Sequence, residues 1–397
     1  MCILKKEGVW TKDFISISMV NFGLMLSMYL LLVTMAPYAI EKYDVSVSTA
    51  GLAASIFIIG ALVSRLFAGR YIESIGNKRM LVMGIAINII MTFFYFLPAN
   101  IVALMVIRFL QGIGVGMATT ATGTIVGKVI PANKYGEGIG YFSLSAVLAA
   151  AIGPLIGVAL IEYSNYTSIF FFSLVMGVIS LIISVLVNPP VKEIMTSASS
   201  RFAFSSFIEP KALPISISIF VIALGYSSIL SFITAYTAEI DLVEAGSFYF
   251  LVYAIAILVS RPFTGKLVDL KGGNSVAYPG LVLFAIGMFL ISQAQTSFVF
   301  LVASAFVGLG YGNFQSCTQS LAIKMTPRER IGLATSTYLV FLELGIGFGP
   351  FILGCFVPLI GYRGMYLSLA GLIMLGIPLY HVLHGRKDKE ALFSKMT

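Results

Sequence analysis

Two ionisable side chains interrupt long apolar runs of this 397-residue chain: Arg108 in LMVIRFLQGIGVG and Glu343 in YLVFLELGIGFGP. Such groups cost at least about 2.5–3.5 kcal/mol each in hydrocarbon, so they mark ion or proton paths. The chemistry open to Glu343 is proton exchange, since a carboxyl deep in a wall can load a proton from one side and release it to the other. Arg108 would then bias one state electrostatically. Two further readings of Glu343 stand beside this one: a protonated hydrogen-bonding residue, or a selector for cationic cargo. More charges sit in two similar strings, SRLFAGRYIESIG (64–76) and SRPFTGKLVDLKG (260–272). Each places an acid four positions after a glycine, Glu73 after Gly69 and Asp269 after Gly265. Arg70, Lys78 and Arg79 surround the first acid, Lys266 and Lys271 the second. Ion pairs in such turns can hold a pathway shut on one side and break when it opens.

Residues of this kind need membrane-spanning elements to position them. Hydrophobic residues make up 58% of the chain and charged residues only 11%, against about a quarter charged in ordinary globular domains. The apolar residues form runs of about 20, the length that crosses roughly 30 Å of hydrocarbon at 1.5 Å per residue. Twelve spans are predicted, near 14–39, 49–69, 79–98, 101–127, 138–161, 167–188, 213–238, 246–268, 275–295, 297–321, 332–356 and 363–383. The first is too long, and lacks the small-residue cleavage site, for a removed signal peptide. With both termini cytoplasmic, the outer loops hold only Lys42 and Arg363 of the 25 Lys and Arg, together with the acids Glu41, Asp44, Glu162, Glu239, Asp241 and Glu244. Every other basic residue except Arg108 then lies on the cytoplasmic side, as the positive-inside rule requires. The net charge of +8 therefore faces anionic lipid rather than nucleic acid. Arg65 and Arg261, near the inner ends of their helices, are expected to snorkel to the interface.

The two charged strings belong to a longer repeat with a constant offset of 196 positions, as from Ser64 to Ser260. Gly112, Gly114 and Gly116 map onto Gly308, Gly310 and Gly312; Pro131 maps onto Pro327, and Gly153-Pro154 onto Gly349-Pro350. The fold expected is an all-α integral membrane protein of two parallel six-helix repeats, the arrangement that encloses a midplane site. Its bundles are 1–188 and 213–397, joined by a polar cytoplasmic linker over 189–212. Gly69 and Gly265 would let helices approach closely, as small residues do in membranes.

Three motifs then carry a resemblance to the major facilitator superfamily across the whole chain, and in particular to its twelve-helix drug:proton antiporter branch. GRYIESIGNKR, with Gly69, Glu73, Gly76, Lys78 and Arg79, resembles the superfamily signature after the second helix, departing from it at Ser74 and Asn77. LMVIRFLQGIGVG is similar to the fourth-helix pattern whose arginine, here Arg108, the family links to proton coupling. AAAIGPLIGV resembles the fifth-helix antiporter motif, carried here by Gly153, Pro154 and Gly157, with Ala149 and Val158 replacing its end glycines. The resemblance implies proton-coupled export of small amphiphilic organic molecules, by alternating access, across the cell membrane. A dedicated exporter of an endogenous metabolite (a metallophore, nucleoside or sugar) is the alternative, and uptake by proton symport a further one. It also implies a monomer, with lipid, cargo and protons as partners and no cofactor.

In this family helices 1, 4, 7 and 10 line the cavity. Asn21 and Tyr29 in the first, Tyr226 in the seventh, and Asn313, Gln315 and Gln319 in the tenth are therefore candidate cargo contacts. Aromatic and uncharged polar groups suit an amphiphilic organic molecule. Enzyme chemistry would need a buried nucleophile with its base, paired carboxylates or a metal set; the only histidines, His381 and His384, lie at a helix end, and Cys2, Cys317 and Cys355 have no metal spacing. No P-loop is present, so ATP is not the direct energy source.

Overall fold

The computed structural model describes residues 8–97, 100–187 and 207–386. These residues form helices joined by short turns and contain no strand. The elements are α1 (Lys12–Tyr43), α2 (Val47–Ile75), α3 (Asn77–Phe94), α4 (Ile101–Val129), α5 (Tyr135–Tyr163), α6 (Tyr166–Leu186), α7 (Leu213–Glu239), α8 (Val243–Lys271), α9 (Asn274–Gln293), α10 (Ser297–Lys324) and α11 (Ile331–Tyr380). All eleven are long and apolar enough to cross a membrane. The last runs for 50 residues but breaks at Gly361, whose φ of 67° and ψ of 174° are not helical. Several helices outrun the apolar stretches that predict them, because polar turns at the bundle ends continue the helical hydrogen bonding. Most of the expected linker, residues 189–206, lies outside the described residues.

Short polar residues start the helices where the apolar runs begin. The N–H of Ala103 donates to the Asn100 side chain at 2.9 Å, that of Ser168 to Asn165 at 3.1 Å, and that of Phe14 to Thr11 at 3.2 Å. Each satisfies one of the N–H groups a helix start leaves orphaned. Glycines with positive φ end α2 and α8: Gly76 at 95° and Gly272 at 81°. They occupy the same place in the two copies, where an L side chain would be strained.

The helices pack into two compact units. The first contains residues 1–131, 145–209 and 327–336; the second contains 132–144, 210–326 and 337–397. The beginnings of α5 and α11 thus pack within units otherwise built from the other half of the sequence. In the first unit α4 lies directly on α2 and α3. A Cβ on Gly112 would fall on the Phe57 carbonyl oxygen, and one on Gly114 would stand 2.7 Å from the carbonyl oxygen of Gly84. The second unit repeats this. A Cβ on Gly308 would stand 2.6 Å from the Tyr253 carbonyl oxygen, and one on Gly310 would stand 2.7 Å from that of Gly280. Large apolar side chains such as Leu155 and Phe351, 64% and 77% exposed, point away from the units. On a soluble protein such a surface would be a liability; in lipid it is the expected outer face.

The copies differ inside α10, where Gly308–Gly312 widens into a π-turn. No such turn is present in α4, its counterpart. Wide turns of this kind often mark functional sites.

Alanine at an exposed helix glycine gains up to about 1 kcal/mol of helix propensity, but a Cβ on Gly112 or Gly308 meets backbone that cannot yield. Gly112→Ala and Gly308→Ala are expected to lower the melting temperature of the purified protein by several degrees. Gly51→Ala, where nothing lies within 4 Å, should leave it unchanged or raise it.

Candidate functional site

The repeated charged turns are built alike but closed differently. In the first unit Gly69 backs onto Ser336 at the start of α11, so close that a Cβ would overlap that side chain. The Ser336 hydroxyl donates to the Arg65 carbonyl at 2.6 Å. Glu73 lies one turn further along, and its ion-pair partner is Lys128 of α4, at 2.5 Å, rather than a basic residue of its own turn. Its other oxygen faces Gly332, 3.2 Å from where a Cβ would be. Lys78 donates to the Val185 carbonyl at 2.7 Å. Arg79 is exposed, and Arg70 lies over the Phe207 ring at 4.6 Å. In the second unit Gly265 backs onto Glu137 at the start of α5, 2.8 Å from its Cα to the added Cβ. Here Asp269 accepts from two backbone groups, Gly136 N–H at 2.7 Å and Glu137 N–H at 2.8 Å. A carboxylate on the first-turn N–H groups of a helix satisfies orphan donors and meets the positive end of the helix dipole. Gly136 and Gly332 are themselves related by the offset of 196. The repeat could have revealed both, whereas the partnership with Lys128 could not be read from spacing.

Arg108 is wholly buried in the first unit. Its guanidinium donates to the Ala54 carbonyl and to Gln111 Oε1, each at 3.0 Å, and to the Tyr95 hydroxyl at 3.5 Å. It lies 4.7 Å from the centre of the Phe57 ring. Gln111 passes the network on to Thr92 at 3.0 Å. Arg108 thus ties α4 to α2 and to the end of α3, with no carboxylate among its partners in the described residues. Its Nε has no hydrogen-bond partner among the described residues.

Arg65 and Arg261 do not snorkel. Both are 2% exposed. Arg65 donates to Thr120 at 3.4 Å; Arg261 donates to Ser316 and to the Gly312 carbonyl, the latter at 3.0 Å. Thr120 and Ser316 are again one repeat apart. The inward turn has a simple reason: Arg65 finds a hydroxyl acceptor on α4, and Arg261 a hydroxyl and a carbonyl on α10.

The antiporter-like glycines seat α5 on α1. A Cβ on Gly153 would stand 3.0 Å from Tyr29 Cβ, and one on Gly157 would stand 2.9 Å from Thr34 Cγ2. Pro154 lies between them within the helix and leaves the Ala150 carbonyl without its usual donor. Tyr29 is half-buried at this contact.

The expected cargo residues divide. Asn21 is committed: it donates to Ser145 at 2.7 Å and accepts from Thr122 at 3.0 Å. Asn313 donates to Ser260 and to the Leu309 carbonyl, and accepts from Thr264, each at 2.9 Å. Both hold helices together. Tyr226 is sandwiched between Tyr311 at 3.9 Å and Tyr253 at 5.7 Å, each near-parallel to it. Gln315 and Gln319 lie one turn apart on α10, and among the described residues neither side-chain amide has a hydrogen-bond partner. Glu343 is half-buried, about 18 Å of rise past Ile331 on α11. Of these groups, Tyr226, Tyr253, Tyr311, Gln315, Gln319 and Glu343 belong to the second unit. Tyr253 and Tyr311 were missed in the sequence because each alone reads as a packing aromatic. Two open apolar grooves of about 530 and 510 Å³, on the first unit, contain none of the expected cargo residues. No cluster of three His, Cys, Asp or Glu fit for a metal ion occurs among the described residues.

Removing the Asp269 carboxylate leaves two helix-start N–H groups without an acceptor, a loss of about 1–2 kcal/mol. Asp269→Ala is therefore expected to speed proteolysis, or labelling of a cysteine introduced in place of Lys134, at the start of α5. Lys266→Ala, in the same turn, should not.

Comparison with known proteins agrees with this architecture. The sequence profile of the Major Facilitator Superfamily matches residues 17–275 and 215–395. An uncharacterised MFS-type transporter of Methanocaldococcus jannaschii is 26% identical over 387 residues, covering 94% of this chain and 98% of its own. Among solved structures, the human organic anion transporter MFSD10 superposes with a TM-score of 0.79 at 14% identity, covering 93% of this chain and 100% of its own. The E. coli fucose:proton symporter gives 0.72 at 16% identity, covering 93% and 98%. At such identities the superpositions bear on fold alone. With a duplicated all-helical bundle, both charged turns and a profile match along nearly its whole length, this chain is a multi-pass membrane protein that belongs to the Major Facilitator Superfamily of transporters.

Proposed function

We propose that this transporter is a monomeric, proton-coupled antiporter that exports small amphiphilic organic molecules across the cell membrane by alternating access. Its chain crosses the membrane twelve times, Gly361 separating the last two spans, and its basic end faces the cytoplasm. The observation that carries the reading is Glu343, a half-buried carboxyl amid LVFLELGIGF, a stretch with no other charge. In hydrocarbon a carboxyl is tolerated when it titrates or is paired, and pumps and transporters use such groups as proton carriers. Arg108 biases one state through its grip on the Ala54 carbonyl and Tyr95.

Alternation needs a barrier that can open, and the basic end supplies one in each unit. Asp269 holds the start of α5 to α8, and the Gly69–Ser336 contact holds the start of α11 to α2. Opening on this side separates both pairs. Each is a small polar or van der Waals contact, of the kind a cargo's binding energy can offset. Export is what the likeness of the Gly153-Pro154-Gly157 stretch to the antiporter motif implies; its tight packing on α1 supports a bend that can seal the path against proton leak. The tyrosines and paired glutamines of the second unit supply the mixed aromatic and polar lining that amphiphilic cargo requires.

The test is flux in proteoliposomes energised by an imposed proton gradient, read with a panel of fluorescent anionic, neutral and cationic dyes. Glu343→Gln is expected to lose at least about tenfold of gradient-driven flux, an activation difference of some 1.4 kcal/mol, while retaining passive exchange. Undiminished coupled flux in that variant would reject the proton-carrier role.

A further inference from the structure

The two copies of the repeat agree where the helices touch and disagree beside Arg261. At the offset of 196, Leu30, Phe57 and Val115 of the first unit become Tyr226, Tyr253 and Tyr311 of the second, and Thr119 and Gly123 become Gln315 and Gln319. The cation itself is inherited, since Arg65 corresponds to Arg261. Its surroundings are new.

Arg261 is 2% exposed and lies about 15 Å of rise from the Lys271 end of α8. Its guanidinium donates to two neutral acceptors, Ser316 and the Gly312 carbonyl. Its Nε has no acceptor, and no carboxylate pairs with it among the described residues. Its electrostatic neighbours are Tyr253, Tyr338 and Cys317. A buried guanidinium without a counter-ion is expensive, and an arriving anion would relieve that cost. Tyr253 lies two turns away on the same face of α8 and ends the stack with Tyr226 and Tyr311. Gly312, Gln315, Ser316 and Gln319 form one stripe of α10, because positions three and four apart share a helix face. Charge, aromatic faces and unpaired amides therefore converge within the second unit.

What covers the site is the start of α5. A Cβ on Gly140 would stand 3.8 Å from Arg261 Cδ. Asp269, two turns from Arg261 along α8, holds that same segment by its first-turn N–H groups. Movement of α5 away from α8 would bare the cation.

We propose that Arg261 is the anchor of a cargo site for aromatic organic anions. It pairs with the carboxylate or sulfonate, while the Tyr226–Tyr253–Tyr311 stack takes the ring and the Gln315 and Gln319 amides take further polar groups. The proposal deepens the transport reading and rests on it. Its test uses binding without any gradient, so that failure here is distinguishable from failure of proton coupling at Glu343.

Full-length protein in lipid nanodiscs is titrated calorimetrically with three probes of one ring system: 2-naphthalenesulfonate, 2-naphthol and (2-naphthylmethyl)trimethylammonium, with empty nanodiscs subtracted. Saturable binding of the sulfonate, at least about tenfold tighter than of the other two, is expected from one charge-assisted hydrogen bond of about 1.5–3 kcal/mol. Arg261→Gln should abolish that preference, and Arg261→Lys, which keeps charge but loses the planar fork, should weaken it several-fold. Arg65→Gln, the same change in the other copy, should retain it. As a readout on unsubstituted Arg261, the sulfonate should slow N-ethylmaleimide modification of Cys317 in a Cys2→Ser, Cys355→Ser background. Equal or tighter binding of the ammonium probe overturns the proposal. So does full sulfonate preference in Arg261→Gln, or, if that variant does not fold, in Arg261→Lys together with unprotected Cys317.

Discussion

Backbone-to-backbone contact at glycine, made at Gly112 on α2 and Gly114 on α3 and made again at Gly308 and Gly310, is the constraint on which the rest of each unit depends. In lipid no hydrophobic effect drives one apolar helix against another, so association relies on close packing and on hydrogen bonds. Where main chains touch, the side chains flanking the contact can reach only a few acceptors. Arg108 finds the Ala54 carbonyl one helix away, and Arg261 finds the carbonyl of Gly312. A single added methyl group at the crossing would push those acceptors out of range. Buried polar groups are thus by-products of tight packing.

Duplication explains why the scaffold is so regular and divergence explains where it is not. The glycine crossings, the positive-φ caps Gly76 and Gly272 and the arginines 65 and 261 recur in equivalent places. The π-turn, the tyrosine stack, the glutamine pair and Glu343 occur in one copy only, where the other has Leu30, Phe57, Val115, Thr119, Gly123 and Val147. A residue shared by both copies answers to packing that both need. A polar or aromatic residue acquired by one copy has no such excuse, and this is why the second unit is the better place to look for cargo chemistry.

The two charged turns show how one motif can serve by different physics. Glu73 forms an ion pair with Lys128 and turns its other oxygen toward Gly332. Asp269, one methylene shorter, accepts from the backbone of Gly136 and Glu137 and forms no ion pair among the described residues. The shorter acid brings its carboxylate against the helix start; the longer one reaches sideways to a lysine.

The sequence alone determined the helical class, most span positions, the repeat and the places of Arg108 and Glu343 within their apolar runs. Each of these follows from hydrophobic run length, a constant offset and rise per residue, all of which are one-dimensional quantities. Only the tertiary structure decided partners. That Asn21 and Asn313 spend their hydrogen bonds on neighbouring helices, that Arg65 and Arg261 turn inward, and that Tyr226 lies between Tyr253 and Tyr311 all depend on which helix faces follow one another around a bundle. Spacing along one helix fixes a face but not what stands opposite it, and in a membrane, where nearly every face is apolar, composition gives no second clue.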